Sequence, residues 1–273
     1  MTSDTGRPMP LTQDGQHVEA AWWGPSPGDA PTLVLLHEGL GCVALWRDAP
    51  ARLARATGCG VLAYSRLGYG GSDPVPLPRP LTYMHDEAAR LPGVLDAAGV
   101  RRAILVGHSD GASIAAIYAG SRYDPRVRGL VLIAPHFFTE EAGLESIARA
   151  RDAYEHGDLR ARLARYHRDV DTAFRGWNAA WLDPLFRAWR IDEFLPYIRV
   201  PILLIQGEAD EYGTMAQLRV VEEVAYGPVE TLMVPSAGHA PHRDAPDRVL
   251  GAIGAFAHHL FGVHERALPE SAS

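Results

Sequence analysis

The chain has 273 residues, 47% of them hydrophobic and 22% charged, with a formal net charge of −7. That is the make-up of an ordinary soluble globular protein with room for one large domain or a domain plus an insertion, and the acidic balance argues against nucleic acid or an anionic membrane as its main partner. All 26 basic residues are arginine, which excludes Schiff-base chemistry and a P-loop lysine.

The opening segment MTSDTGRPMP is polar and Pro-rich, without the apolar stretch of a signal peptide. No apolar run approaches the ~18 residues of a membrane span, so the expected address is cytoplasmic. Residues 16–23 alternate in character and predict an antiparallel edge strand. Cys42 and Cys59 fall in different elements without metal-type spacing and read as small buried thiols. From there, short and nearly continuous apolar runs recur at 32–36 (TLVLL), 60–64 (GVLAY), 103–106 (AILV), 130–133 (LVLI), 202–205 (ILLI) and 231–234 (TLMV). Strands buried on both faces of a parallel sheet look like this. Helical patterns at 46–56, 85–98, 112–119 and 247–260 lie between or after them. The alternation predicts an α/β protein with a mostly parallel, doubly wound sheet covered on both faces.

One block breaks the rhythm. Between about 136 and 196 no strand-like run occurs. Ile147, Tyr154, Leu159, Leu163 and Tyr166 recur at helical spacing there, followed by an aromatic cluster of Phe174, Trp177, Trp181, Phe186, Trp189, Phe194 and Tyr197. The reading is a helical cap (136–196) inserted into a core domain made of 1–135 and 197–273. Most of these rings are expected to fill the cap's own core. One or two of Phe174, Trp177, Trp181 and Trp189 are expected to line a pocket, because ligands of open α/β folds bind at the carboxyl edge of the sheet. The polar tail after Gly262 is expected to be loose.

The stretch ILVGHSDGAS (104–113) places Ser109 between two glycines where a strand ends and a helix begins. It is either a glycine-rich turn with a capping serine or a G-x-S-x-G nucleophile elbow. An activated serine needs a base within reach and an acid to orient it, in the chain order serine, acid, histidine. The strand at 202–205 runs into QGEADEYG, offering Glu208, Asp210 and Glu211. The strand at 231–234 runs into PSAGHAPHRD, offering His239 and His242. Acid and base thus arrive in the required order, at the required ends of strands.

Together LLHEGLG, YSRLGYGGSD, GHSDG, GEADEYG and AGHAPHRDAP make nearly the whole chain resemble the α/β-hydrolase superfamily, in the form of a capped serine esterase. The resemblance implies Ser109 as nucleophile, Asp210 as acid and His239 as base, with His242 a surface or supporting imidazole and Glu208 and Glu211 solvated loop charges. It also implies an oxyanion hole from the backbone amides of Gly39 and Asp110. Two departures stand out: Glu38 follows His37 where glycine is commoner, and Asp110 puts a carboxylate beside the nucleophile. The implied chemistry is two-step acyl transfer on a small-molecule substrate without cofactor or metal. Carboxylic ester hydrolysis comes first, with thioesters and lactones within the same chemistry and a preference for aromatic or apolar groups. Carbon–carbon hydrolysis of a ring-cleavage product and a receptor with little turnover are the alternatives. Family members with an aspartate nucleophile, such as epoxide hydrolases, are set aside because the elbow centre is serine. Oligomeric state is left open, a homo-oligomer included.

Overall fold

The computed structural model describes residues 6–262, so the tail expected to be loose lies outside the described residues. The N-terminal strands are β1 (Arg7–Pro8), β2 (Leu11–Gln13), β3 (Gln16–Val18) and β4 (Ala20–Trp23). The predicted edge strand at 16–23 is therefore two strands: β3 pairs with β2 in a separate hairpin, and β4 joins the main sheet antiparallel to its neighbour. The main sheet continues with β5 (Thr32–Leu36), β6 (Gly60–Tyr64), β7 (Ala103–His108), β8 (Val127–Ile133), β9 (Ile202–Gly207) and β10 (Val229–Val234). Its spatial order is β1-β4-β6-β5-β7-β8-β9-β10, and every pair from β6 to β10 is parallel.

The apolar runs of β5, β6, β7 and β9 are buried at every position, because helices cover both faces. On one face lie α1 (Ala49–Thr57) and, from the end of the chain, α9 (Pro246–Phe261). Together with alternate sheet residues such as Leu33, Val61, Ile104 and Ile205 they form one apolar core. On the other face lie α2 (Tyr83–Ala97) and α3 (Asp110–Ser121), packed on Val34, Leu62 and Leu105. Helix α3 is buried through nine consecutive residues, since it is covered from above as well. Two local expectations shift. The helix expected from 46 begins instead at Ala49, after a 3₁₀ turn (Val43–Trp46) and a positive-φ residue, Arg47. The run at 231–234 belongs to an outer strand with one neighbour, so β10 is only partly buried, with Val234 alone fully so.

The connection from β8 to β9 carries α4 (Glu141–His156), α5 (Leu159–Leu163), α6 (Val170–Trp181) and 3₁₀ turns at Pro184–Ala188 and Asp192–Tyr197. It is fastened to the sheet's loops by hydrogen bonds. The Arg168 amide donates to the Gly70 carbonyl, His167 bridges the Gly70 amide and the Leu40 carbonyl, and Ser146 donates to the Glu211 carbonyl. The chain winds outward from β5 to β6, then crosses back to β7 on β5's other side. The crevice at that reversal is where ligands of such sheets sit, and the helical connection roofs it. After β9 come α7 (Ala216–Val224) and, beyond β10, the one-turn α8 (Pro241–Asp244). Among the described residues no helix is long and apolar enough to cross a membrane.

Candidate active site

Ser109 stands at the turn from β7 into α3, with φ +53° and ψ −119°. A non-glycine residue in such a conformation stores roughly 1–3 kcal/mol of strain, which the surrounding packing must offset. The flanking glycines make the turn sterically feasible. A Cβ on Gly107 would lie 2.3 Å from the Gly111 carbonyl oxygen, and one on Gly111 would lie 2.0 Å from that of Leu36. The elbow is thus wedged against the end of β5, and its serine is lifted out of the sheet.

Ser109 Oγ lies 2.9 Å from Nε2 of His239, and His239 Nδ1 lies 2.9 Å from both carboxylate oxygens of Asp210. With Nδ1–H donated to Asp210, Nε2 is left to accept the serine proton. Asp210 follows β9 and is held by the Tyr212 amide at 2.8 Å and by Gln206 Nε2 at 2.7 Å. Burial alone would raise its pKa, but the His239 contact and the amide bond outweigh it and hold the carboxyl below its ordinary range. Glu208 and Glu211 are exposed.

Among the described residues the backbone amides of Gly39 and Asp110 have no hydrogen-bond partner within the protein. Gly39 sits in the loop after β5, which Arg66 and His37 shape. The Arg66 guanidinium donates to the carbonyls of His37 (2.6 Å) and Glu38 (3.2 Å), and the Arg66 amide donates to His37 Nε2 at 3.0 Å.

The two odd carboxylates each have a partner. Glu38 folds back over Gly41, where an added Cβ would lie 2.3 Å from its Oε2. Its Oε1 accepts from Arg243 of α8 at 2.7 Å, and its Oε2 lies 3.5 Å from Nδ1 of His108. Burial pushes the Glu38 pKa up, yet Arg243 and His108 prevail and keep it well below the carboxylate range. His108 in turn donates from Nε2 to the backbone carbonyl of His239 at 2.7 Å. Glu38 therefore ties the Gly39 loop to the residue before Ser109 and to the loop carrying His239. Asp110 accepts a 2.6 Å bond from the Tyr83 hydroxyl, which itself accepts from Trp181 Nε1 at 3.0 Å. Burial raises the Asp110 pKa despite Arg66, 3.9 Å away, and the Tyr83 bond.

A cavity of about 110 Å³ opens over Ser109, Asp110 and His239. Its apolar wall is Leu40, Ile147, Trp177 and Trp181, and its polar wall adds Glu38, His136 and Tyr212. Of the four aromatic residues among which one or two are expected at a pocket, Trp177 and Trp181 line it and Phe174 and Trp189 do not. Phe174 stacks on Tyr154 (3.7 Å between centroids) behind Trp177, and Trp189 stacks on Phe186 behind Trp181. His242 is 4% exposed with neither ring nitrogen bonded, packed between Trp46 and His108, so it is a buried core imidazole and not a surface one. His136 was not foreseen in the sequence. It stands three residues past β8, where the carboxyl-edge rule would have flagged it. Burial first, then the neighbouring His239, brings its pKa down to about 3, so the imidazole is neutral. Gln206, a polar residue inside an apolar strand, is a second such signal. Among the described residues no three His, Cys, Asp or Glu side chains converge as metal ligands.

Comparison with known proteins agrees with this architecture. A stretch of 131 residues is 31% identical to epoxide hydrolase 3 of Siraitia grosvenorii, spanning 47% of this chain and 40% of that protein. Among solved structures, a hydrolase from Pseudomonas aeruginosa superposes with a TM-score of 0.71 at 21% identity, over 92% of this chain and 98% of that one. The esterase RhEst1 from Rhodococcus sp. does so with 0.71 at 20% identity, over 93% and 98%. A sequence model described as the alpha/beta hydrolase family matches residues 33–252. That match takes in every strand from β5 onward, the elbow and the loops of Asp210 and His239, and the chain belongs to the α/β hydrolase family.

Proposed function

We propose that this protein is a serine hydrolase that cleaves a carboxylic ester of a small, uncharged substrate through an acyl-enzyme, with residues 136–196 acting as its cap. The observation that carries the reading is the unbroken line Ser109 Oγ, His239, Asp210, with 2.9 Å at each step. Ser109 Oγ bonds to the carbonyl carbon as its proton passes to His239 Nε2, and Asp210 stabilises the imidazolium. The tetrahedral oxyanion accepts from the Gly39 and Asp110 amides. Its collapse breaks the ester C–O bond, and the alkoxide leaves with the proton from His239. Water, deprotonated by the same imidazole, then releases the acid. Thioesters and lactones are open to the same steps.

A similarity to an epoxide hydrolase does not bring epoxide opening with it. Serine attack on an epoxide would leave an ether, which water at this site cannot cleave, whereas an acyl-serine ester is hydrolysable. The cavity also bears on the substrate. Two carboxylates, Glu38 and Asp110, line it while their arginine partners Arg243 and Arg66 stand outside the lining, which favours a neutral substrate over one carrying its own carboxylate, as ring-cleavage acids do. The cavity's apolar wall of Leu40, Ile147, Trp177 and Trp181 suits an apolar acyl or alcohol group. The expected preference for aromatic or apolar groups stands in this reading, with Trp177 and Trp181 as the rings that face the substrate. Phe174 and Trp189 pack against those two rings from behind.

Labelling with a fluorophosphonate probe tests the reading. Wild type should label and Ser109→Ala should not, and wild type should hydrolyse p-nitrophenyl acetate and butanoate. A folded wild-type protein that neither labels nor turns over any ester would point to a non-catalytic ligand-binding protein and sink the proposal.

A further inference from the structure

Trp177 is 7% exposed and lines the cavity over Ser109. Its indole N–H has no hydrogen-bond partner among the described residues, and unlike that of Trp189 it is not sealed in the interior. The ring packs with its nitrogen edge on the loop after β5: a Cβ on Gly39 would lie 2.1 Å from Trp177 Nε1. Any side chain at position 39 would therefore displace this N–H, which accounts for glycine there independently of the backbone turn. An indole N–H can only donate. Leaving it unmatched when a substrate fills the cavity costs its desolvation, whereas an acceptor oxygen on the substrate recovers a bond.

Resting on the ester-hydrolase reading above, in which the Gly39 amide holds the carbonyl oxygen, we propose that Trp177 Nε1–H is a specificity group for esters with a neutral oxygen on the carbon next to the carbonyl. These are 2-hydroxy, 2-alkoxy or 2-keto acyl groups. The placement follows from adjacency. The carbonyl oxygen is at the Gly39 amide, the indole N–H is packed on the same residue, and the α-carbon's substituent is the substrate atom that follows the carbonyl outward. Glu38 and Asp110 in the lining, with their arginines behind it, favour a neutral acyl group over an anionic one.

The test uses two substrates of nearly equal shape, p-nitrophenyl methoxyacetate and p-nitrophenyl butanoate, which differ by an ether oxygen in place of a methylene. The ratio of their kcat/KM values is divided by the ratio of their hydroxide-catalysed rates, removing the ether's intrinsic activation. Wild type should keep a preference of about five- to tenfold for the methoxyacetate. Trp177→Phe, which retains the ring and loses the donor, should bring the ratio close to one, and Trp189→Phe should leave it at the wild-type value. A wild-type ratio near one, or a folded Trp177→Phe with the wild-type ratio, would overturn the inference while leaving the ester-hydrolase reading intact. Should Trp177→Phe fail to fold, the wild-type ratio decides alone. If neither ester is hydrolysed and Ser109 is not labelled by a fluorophosphonate, the functional reading falls and this inference with it.

Discussion

The loops at the ends of β5, β7, β9 and β10 and the helical connection between β8 and β9 meet over one cavity but are built differently. The loops are held by directed polar contacts: each of Ser109, His239, Asp210, Glu38 and Asp110 has a named hydrogen-bond partner within 3 Å. The helical connection is fastened to the loops beneath by hydrogen bonds, but behind the cavity it is filled with stacked rings, Tyr154 on Phe174 and Phe186 on Trp189. Hydrogen bonds fix atoms to tenths of an ångström and suit chemistry. Ring packing fills space and sets what fits. Damage to the first should therefore be read in turnover, and damage to the second in selectivity and stability.

The largest effects should come from the loops. Ser109→Ala and His239→Ala should each lower kcat by roughly 10⁴-fold or more with the unfolding midpoint little changed. His242→Ala should be far milder in rate, and the reverse ranking would reassign the base. Asp210→Asn should cost about 10³- to 10⁴-fold, since an amide can favour the wrong imidazole tautomer and cannot balance the imidazolium. Glu208→Gln should stay near wild type.

Glu38→Gln sharpens the comparison, because this residue joins three loops without touching the triad's own atoms. It should lower kcat by about tenfold, with KM moving less, as the Arg243 bond loses its charge assistance. An unchanged kcat would show that the loops hold their register without it.

On the packing side, Trp181→Ala should enlarge the cavity and destabilise the fold by about 3–5 kcal/mol. Esters of longer acids, such as octanoate, should gain relative to butanoate. A stable variant that keeps the wild-type chain-length profile would show that the helical connection does not read the acyl group.

The smallest effect is in pH dependence. Burial, with His108 and Arg243 adding to it, holds the His242 pKa well below its ordinary value. In the unfolded chain a histidine binds a proton below about pH 6.5, while in the folded protein this one stays neutral. The unfolded state thus takes up more protons, so stability is full above pH ~6.5 and falls as the pH drops, by up to ~1.4 kcal/mol per unit for one group. His136 and His37, also buried with lowered pKa values, act in the same direction. His242→Leu should make the urea midpoint less sensitive between pH 6.5 and 5. An equal or steeper dependence would mean that His242 is charged in the folded state.

What the sequence alone determined was local. Continuous apolar runs marked the strands buried on both faces, and the spacing of glycines around Ser109 marked a turn that only small neighbours permit. The order of Ser109, Asp210 and His239 along strand ends singled them out as residues that the sheet would gather at one edge. Such signals survive in a single sequence because they depend on neighbours a few positions away. The tertiary structure decided what depends on contacts between distant residues. Glu38 turns toward Arg243, 205 positions on, and Asp110 finds its partner in Tyr83 of another helix. Trp177 and Trp181 face the cavity while Phe174 and Trp189 stack behind them, although all four read alike as apolar rings at helical spacing. Periodicity gives the face a helix buries; what lies against that face, a cavity or another ring, is set by how three helices pack on one another and on the sheet's edge.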